Sequence, residues 1–162
     1  MNVKRVFLLC GIPGSGKSYW AKNKFMPYNP NTVYISRDEV RFSILAEGED
    51  YFAHEDEVFE EFVRRINSAI NNKEVDNVII DATHLNWKSR NKVLSRLDEI
   101  WNVTAVVFDT PLEICINRNN KREERAKVPR SVIRRMHFQR TDPHKDPFPY
   151  RDIIYPDKVE VT

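Results

Sequence analysis

The sequence predicts a three-layer α/β domain, a parallel sheet with helices on both faces. Three observations lead there. Short β-branched runs alternate with longer amphipathic segments, the order that parallel pairing through right-handed crossovers requires. The chain has 162 residues, enough for one contiguous core, and no repeat, low-complexity tract or Gly/Ser linker divides it. A glycine-rich turn, Gly11-Ile12-Pro13-Gly14-Ser15-Gly16-Lys17-Ser18, follows the first apolar run and precedes a helical segment.

The elements follow in order. Residues 3–10 read as a buried strand, and residues 17–25 as the helix after the glycine turn. Pro27-Tyr28-Asn29-Pro30 breaks the chain. Residues 32–36 form a second strand, with Asp38 placed to cap the next helix. Between 52 and 70, Phe52, Phe59, Phe62, Val63, Ile66, Ala69 and Ile70 recur at helical spacing. Residues 78–81 are a third strand, and Trp87, Leu94, Leu97, Ile100 and Trp101 mark the next helical stripe. Residues 103–108 are a fourth strand. Pro111 suits the first turn of a helix running to about Asn119, and Pro129 opens another through about Arg140. Pro143, Pro147, Pro149 and Pro156 keep the tail, residues 141–162, mostly extended, with a short strand near 158–161.

Composition excludes several classes. With 41% apolar and 31% charged residues and only four Gly, the chain is neither disordered nor collagenous. No apolar stretch approaches the roughly 20 residues that span a bilayer. The run after Lys4-Arg5 is too short for a signal peptide and leads into the glycine turn. Cys10 and Cys115 lie in apolar runs and read as buried thiols. The expectation is a reduced, soluble, cytoplasmic protein without a membrane partner. Net charge is only +2, but its distribution is uneven. Residues 47–61 hold eight acids and no Lys or Arg, whereas residues 118–140 hold nine Lys or Arg and two acids. The basic cluster is either a solvated helix face or an anion-binding surface.

The glycine turn matches G-x-x-x-x-G-K-[ST], in the strand–turn–helix context the motif requires. Glycines let backbone N–H groups converge on an anion, and the following helix aims its positive end at it. Gly11, Ile12, Pro13, Gly14, Ser15 and Gly16 would cradle the phosphates. Lys17 would reach the β- and γ-phosphates, and Ser18 would offer an oxygen to Mg²⁺. The sequence is thus expected to adopt a P-loop NTPase/kinase fold that binds a nucleoside triphosphate. Asp81, at the end of the third strand, is the candidate partner acid for the metal, or else a cap on the next turn; Thr83 and His84 follow it. Asp38 and Arg41 sit where the second strand gives way to a helix, at the edge that faces the ligand crevice in open α/β sheets. They read equally as a proton acceptor beside an anion-holding arginine, or as an N-cap acid paired with a helical arginine. Arg118 and Arg122 would belong to a C-terminal helical lid over about 118–140, stabilising charge on the transferring phosphoryl group.

With these elements together, residues 1–140 resemble the kinase domain of the phage-type polynucleotide 5′-kinases, within a wider group of small P-loop kinases. The resemblance rests on residues 14–21, Arg37-Asp38-Glu39-Val40-Arg41, residues 79–86, Val107-Phe108-Asp109, and Arg118-Asn119-Asn120-Lys121-Arg122 followed by Val128-Pro129. It implies ATP and Mg²⁺ as cofactors, with Lys17 and Ser18 on the phosphates and metal. Asp38 would be the general base for the acceptor 5′-hydroxyl, and Arg41 would contact the phosphate beside the acceptor sugar. Arg118 and Arg122 would hold the donor phosphates, and Asp81 and Thr83 would lie between donor and acceptor. The implied acceptor is a DNA or RNA 5′-OH end. A nucleoside, sugar nucleotide or other metabolite is the second reading, and a nucleotide-hydrolysing switch the third. The lid is one residue longer than the family pattern, and the acidic segment 47–61 is an unusual neighbour for a polyanion.

Overall fold

The computed structural model describes residues 4–99 and 101–156. Its strands are β1 (Arg5–Cys10), β2 (Thr32–Ser36), β3 (Asn77–Asp81), β4 (Val103–Val107) and β5 (Asp152–Ile154). They form one sheet in the order β2-β3-β1-β4-β5, every neighbouring pair parallel. The helices are α1 (Lys17–Tyr19), α2 (Arg37–Ile44), α3 (Glu55–Ile70), α4 (Trp87–Leu94), α5 (Leu112–Asn120) and α6 (Arg130–Gln139). β1 is apolar from Val6 to Cys10 and β3 from Val78 to Ile80, because a central parallel strand is covered on both faces. Alternate side chains divide the core. Val6, Leu8 and Cys10 meet Phe62, Ile66 and Leu94 on one face, while Phe7 and Leu9 meet Ala21, Phe25 and Phe108 on the other. Cys10 and Cys115 are buried free thiols, as expected.

Several boundaries differ from the sequence reading. The first helix is α-helical only over Lys17–Tyr19. It continues as a π-helical segment over Trp20–Phe25 and tightens to a 3₁₀ turn at Met26–Tyr28, where Pro27 stops it. Ser36, not Asp38, caps α2, its hydroxyl accepting the Glu39 N–H at 3.3 Å. Phe52 is outside the core: it precedes α3 and is 60% exposed. α4 ends at Leu94 because the chain must turn back to reach Val103. Leu97 still packs on the core, Trp101 is 85% exposed, and Ile100 lies outside the described residues. The strand expected near 158–161 also lies outside them, whereas β5, only three residues long, was not anticipated.

A buried ion pair places the tail. Arg90 is fully buried, and its Nε and Nη2 donate to Asp146 at 2.6 and 2.9 Å. Its Nη1 donates to the carbonyls of His84 and Thr141, and its Nη2 also reaches the Thr141 hydroxyl. The Tyr150 hydroxyl donates to Asp146 at 2.8 Å. The Arg151 N–H then bonds the Val103 carbonyl, which leads β5 alongside β4.

Candidate active site

The strand register assembles the cleft. Leu9 and Ser36 both pair with Asp81, so β1, β3 and β2 end in one row at the carboxyl edge of the sheet. The glycine loop starts two residues beyond Leu9, and Asp38 lies two beyond Ser36. Side chains far apart in sequence are thereby brought together by three parallel strands.

The loop has the geometry of an anion cradle. Gly14 and Gly16 take φ of +82° and +99°, which disfavours any residue with a side chain. A Cβ on Gly14 would also lie 2.5 Å from the Cys115 carbonyl oxygen, so α5 packs directly on the loop. The Thr110 hydroxyl donates to the Ser15 carbonyl at 2.8 Å, and the Gly11 N–H donates to the Thr83 carbonyl at 3.0 Å. Lys17 Nζ donates to the Gly11 and Ile12 carbonyls at 2.9 and 3.1 Å, and among the described residues the buried Ser15 hydroxyl has no partner. A positive group resting on loop carbonyls beside an unsatisfied hydroxyl fits a phosphate chain. Ser18 is exposed at the start of α1.

Charge ties the cleft together. Burial pulls the Lys17 ammonium below its ordinary pKa; Asp81 and Asp38 oppose that shift, and Arg122 adds to it. Burial pushes the Asp81 carboxyl up, against the pull of Lys17 and of the Tyr34 hydroxyl that donates to it. The charges of Asp81, Arg122 and Asp38 are thus each felt at Lys17. Among the described residues no group of three His, Cys, Asp or Glu side chains stands ready for a metal. A divalent cation at Ser18 and Asp81 would take its other ligands from phosphate and water, the usual Mg²⁺ arrangement.

The Asp38 side chain, two residues beyond the end of β2, is 45% exposed. Its Oδ1 accepts hydrogen bonds from Arg41 and, at 2.7 Å, from the Tyr51 hydroxyl. Among the described residues Oδ2 has no partner. Arg41 is differently placed from the expectation. It is buried, its Nε and Nη2 donate to Glu55 at 3.0 and 2.8 Å, and its Nη1 donates to Asp38 and Tyr51. Arg37 also donates to Glu55, at 3.3 Å. Tyr51 and Glu55 are site residues the sequence reading missed. They belong to the acidic segment, which gave no sign that it folds back on α2.

Arg118 donates to the Gly14 carbonyl at 3.1 Å, which puts it against the cradle. The presumed lid is only partly free. The Asn119 side chain bonds both the N–H and carbonyl of Val128, and Ile133 of α6 is buried against Ile12, Cys115 and Ile116. Residues 120–127, between these anchors, contribute no buried side chain among the described residues. Thr83 lines a crevice of about 230 Å³ with Cys10, Gly11, His84, Asp109 and Arg140. This places it beside the start of the glycine loop.

His84 contributes to stability. It is buried with φ of +42°, and its Nδ1 bonds the Leu9 carbonyl at 2.5 Å. Burial lowers its pKa to about 4 from 6.5. Between these values the unfolded chain takes up a proton that the folded chain refuses, so stability is present above pH 6.5 and lost as pH falls towards 4. Urea unfolding across that range should show a loss on the order of 3 kcal/mol. His84→Gln should remove that part of the slope.

A five-stranded parallel sheet flanked by helices, with a glycine–lysine loop between its first strand and first helix, defines a P-loop kinase fold. The chain belongs to the AAA domain family designated AAA_33, which matches residues 6–143. It is similar to a chain in a structure of the Pnkp1/Rnl/Hen1 RNA repair complex, with 28% identity and a TM-score of 0.71 over 86% of this chain. It covers 44% of that chain, so it spans less than half the length of this relative. A fungal RNA kinase shares the fold at 13% identity and TM-score 0.66, covering all of this chain and 78% of its own. A sugar kinase from Janibacter sp. HTCC2649 does so at 17% identity and TM-score 0.60, over 94% of this chain and 86% of its own. Among the described residues no helix is long and apolar enough to cross a membrane.

Proposed function

We propose that this protein is a cytoplasmic ATP-dependent kinase that transfers the γ-phosphoryl group to the 5′-hydroxyl of a DNA or RNA end. The observation that carries this reading is Asp38, held by Tyr51 and Arg41 and within electrostatic reach of Lys17 and Asp81. Two hydrogen bonds on Oδ1 orient the carboxylate and leave Oδ2 for the acceptor hydroxyl. The hydroxyl oxygen attacks the γ-phosphorus, the bond to the β-phosphate bridging oxygen breaks, and Asp38 takes the proton as ADP leaves. Lys17, Arg118 and Arg122 stabilise charge on the donor phosphates, where preorganised cations are most effective. Mg²⁺, when bound, would supply further neutralisation of the β- and γ-oxygens.

The similarity to an RNA-repair chain supports a polynucleotide acceptor. In this arrangement Arg41 first of all holds Asp38, and its contact with an acceptor phosphate requires exchange with Glu55. That carboxylate on Arg41 favours a second reading, a small acceptor without a phosphate beside its hydroxyl. Labelled ATP tested against 5′-OH DNA, 5′-OH RNA and a panel of nucleosides and sugars distinguishes the two. The polynucleotide reading expects label on oligonucleotide 5′ ends, with unlabelled small molecules. Label confined to a small molecule overturns it.

A further inference from the structure

The helical spacing of Phe52 predicts a core residue, yet its ring is 60% exposed. A single exposed apolar side chain is ordinary, but this one ends a row. Phe42 and Tyr51 have ring centroids 6.3 Å apart, and Tyr51 and Phe52 4.8 Å apart, edge to face. The Arg125 guanidinium lies 4.3 Å over the Phe42 ring, closing the far end. The middle ring carries the hydroxyl that bonds Asp38 at 2.7 Å. The exposed ring is therefore one aromatic neighbour away from the carboxylate proposed to accept the proton.

The charges around it are of the wrong sign for a phosphate backbone. Glu47, Glu49, Asp50, Glu55, Asp56 and Glu57 all lie within five residues of Tyr51 or Phe52 in the sequence, and Glu55 already occupies Arg41. The two guanidinia on the row are already engaged, Arg41 by Glu55 and Arg125 over the Phe42 ring, which weakens ion pairing with a polynucleotide end there. Stacking on an aromatic face is the alternative, since every base has a π-face and the contact tolerates any sequence. We infer that Phe52 stacks on the base of the acceptor's 5′-terminal nucleoside and so presents its 5′-hydroxyl to Asp38. This rests on the polynucleotide reading and names how that acceptor is held.

The test uses a 5′-OH oligonucleotide whose terminal base is 2-aminopurine, a fluorophore quenched by stacking. Binding to the wild-type chain without ATP quenches it. Phe52→Ala abolishes the quench and raises the acceptor KM about tenfold or more, with the KM for ATP unchanged. Phe52→Trp preserves both. On an oligonucleotide with an abasic 5′-terminal sugar, wild type and Phe52→Ala have the same acceptor KM. An unchanged quench and KM in Phe52→Ala, or an equal loss on the abasic acceptor, overturns the inference while the kinase reading stands. A wild-type chain that transfers to no 5′-OH oligonucleotide overturns the polynucleotide reading and this inference with it.

Discussion

Asp38→Asn should lower the rate of phosphoryl transfer by about 10²- to 10⁴-fold, the usual contribution of a positioned general base, while ATP still binds. Asn keeps the shape and an oxygen for the Tyr51 and Arg41 hydrogen bonds, so the cleft is retained. What it loses is the capacity to take the hydroxyl proton. In the proposed reading ATP would be held by the glycine loop between β1 and α1 and by Lys17, which the substitution does not touch. Single-turnover transfer of labelled phosphate measures the rate, and nucleotide titration measures binding. Near-wild-type transfer by this variant would remove Asp38 from the chemistry and leave its role as a partner for Arg41.

The largest expected effect on stability lies at the buried ion pair between Arg90 and Asp146. Asp146→Ala should destabilise the fold by about 3–5 kcal/mol, because it strands a buried guanidinium. Arg90 is wholly buried, and the Asp146 side chain is only 3% exposed, so neither charge has water to turn to. The pair also fastens the tail, through the Thr141 and Tyr150 hydrogen bonds, beside the strand that closes the sheet. Chemical denaturation of the variant measures the loss. Replacing Arg90 and Asp146 together by apolar residues of similar volume should recover much of it, since paired buried charges are weak stabilisers in themselves.

The two sites differ in how readily they are read from residues alone. The glycine loop is local: eight consecutive residues carry its shape and its charge, so Gly14, Gly16 and Lys17 stand where the motif puts them. Asp38 and Asp81 could be placed at the crevice because strand ends in a parallel sheet share one edge, and the register aligns Ser36 with Asp81. Tyr51, Glu55 and Phe52 could not. Their neighbourhood reads as a solvated acidic run, and only the fold-back of residues 45–54 against α2 turns it into a wall of the cleft. The helical stripe misassigned Phe52 and Trp101 because periodicity reports which faces are apolar, not where a helix stops.

From residues alone came the α/β class, the glycine loop and four of the five strands, all set by local pattern and by the few ways parallel strands connect. Tertiary structure decided what Arg41 holds, which part of the lid is free, how Arg90 and Asp146 bind the tail, and which aromatic ring remains uncovered. Those are long-range pairings between side chains. Their strength depends on burial and geometry, which no short stretch of sequence specifies.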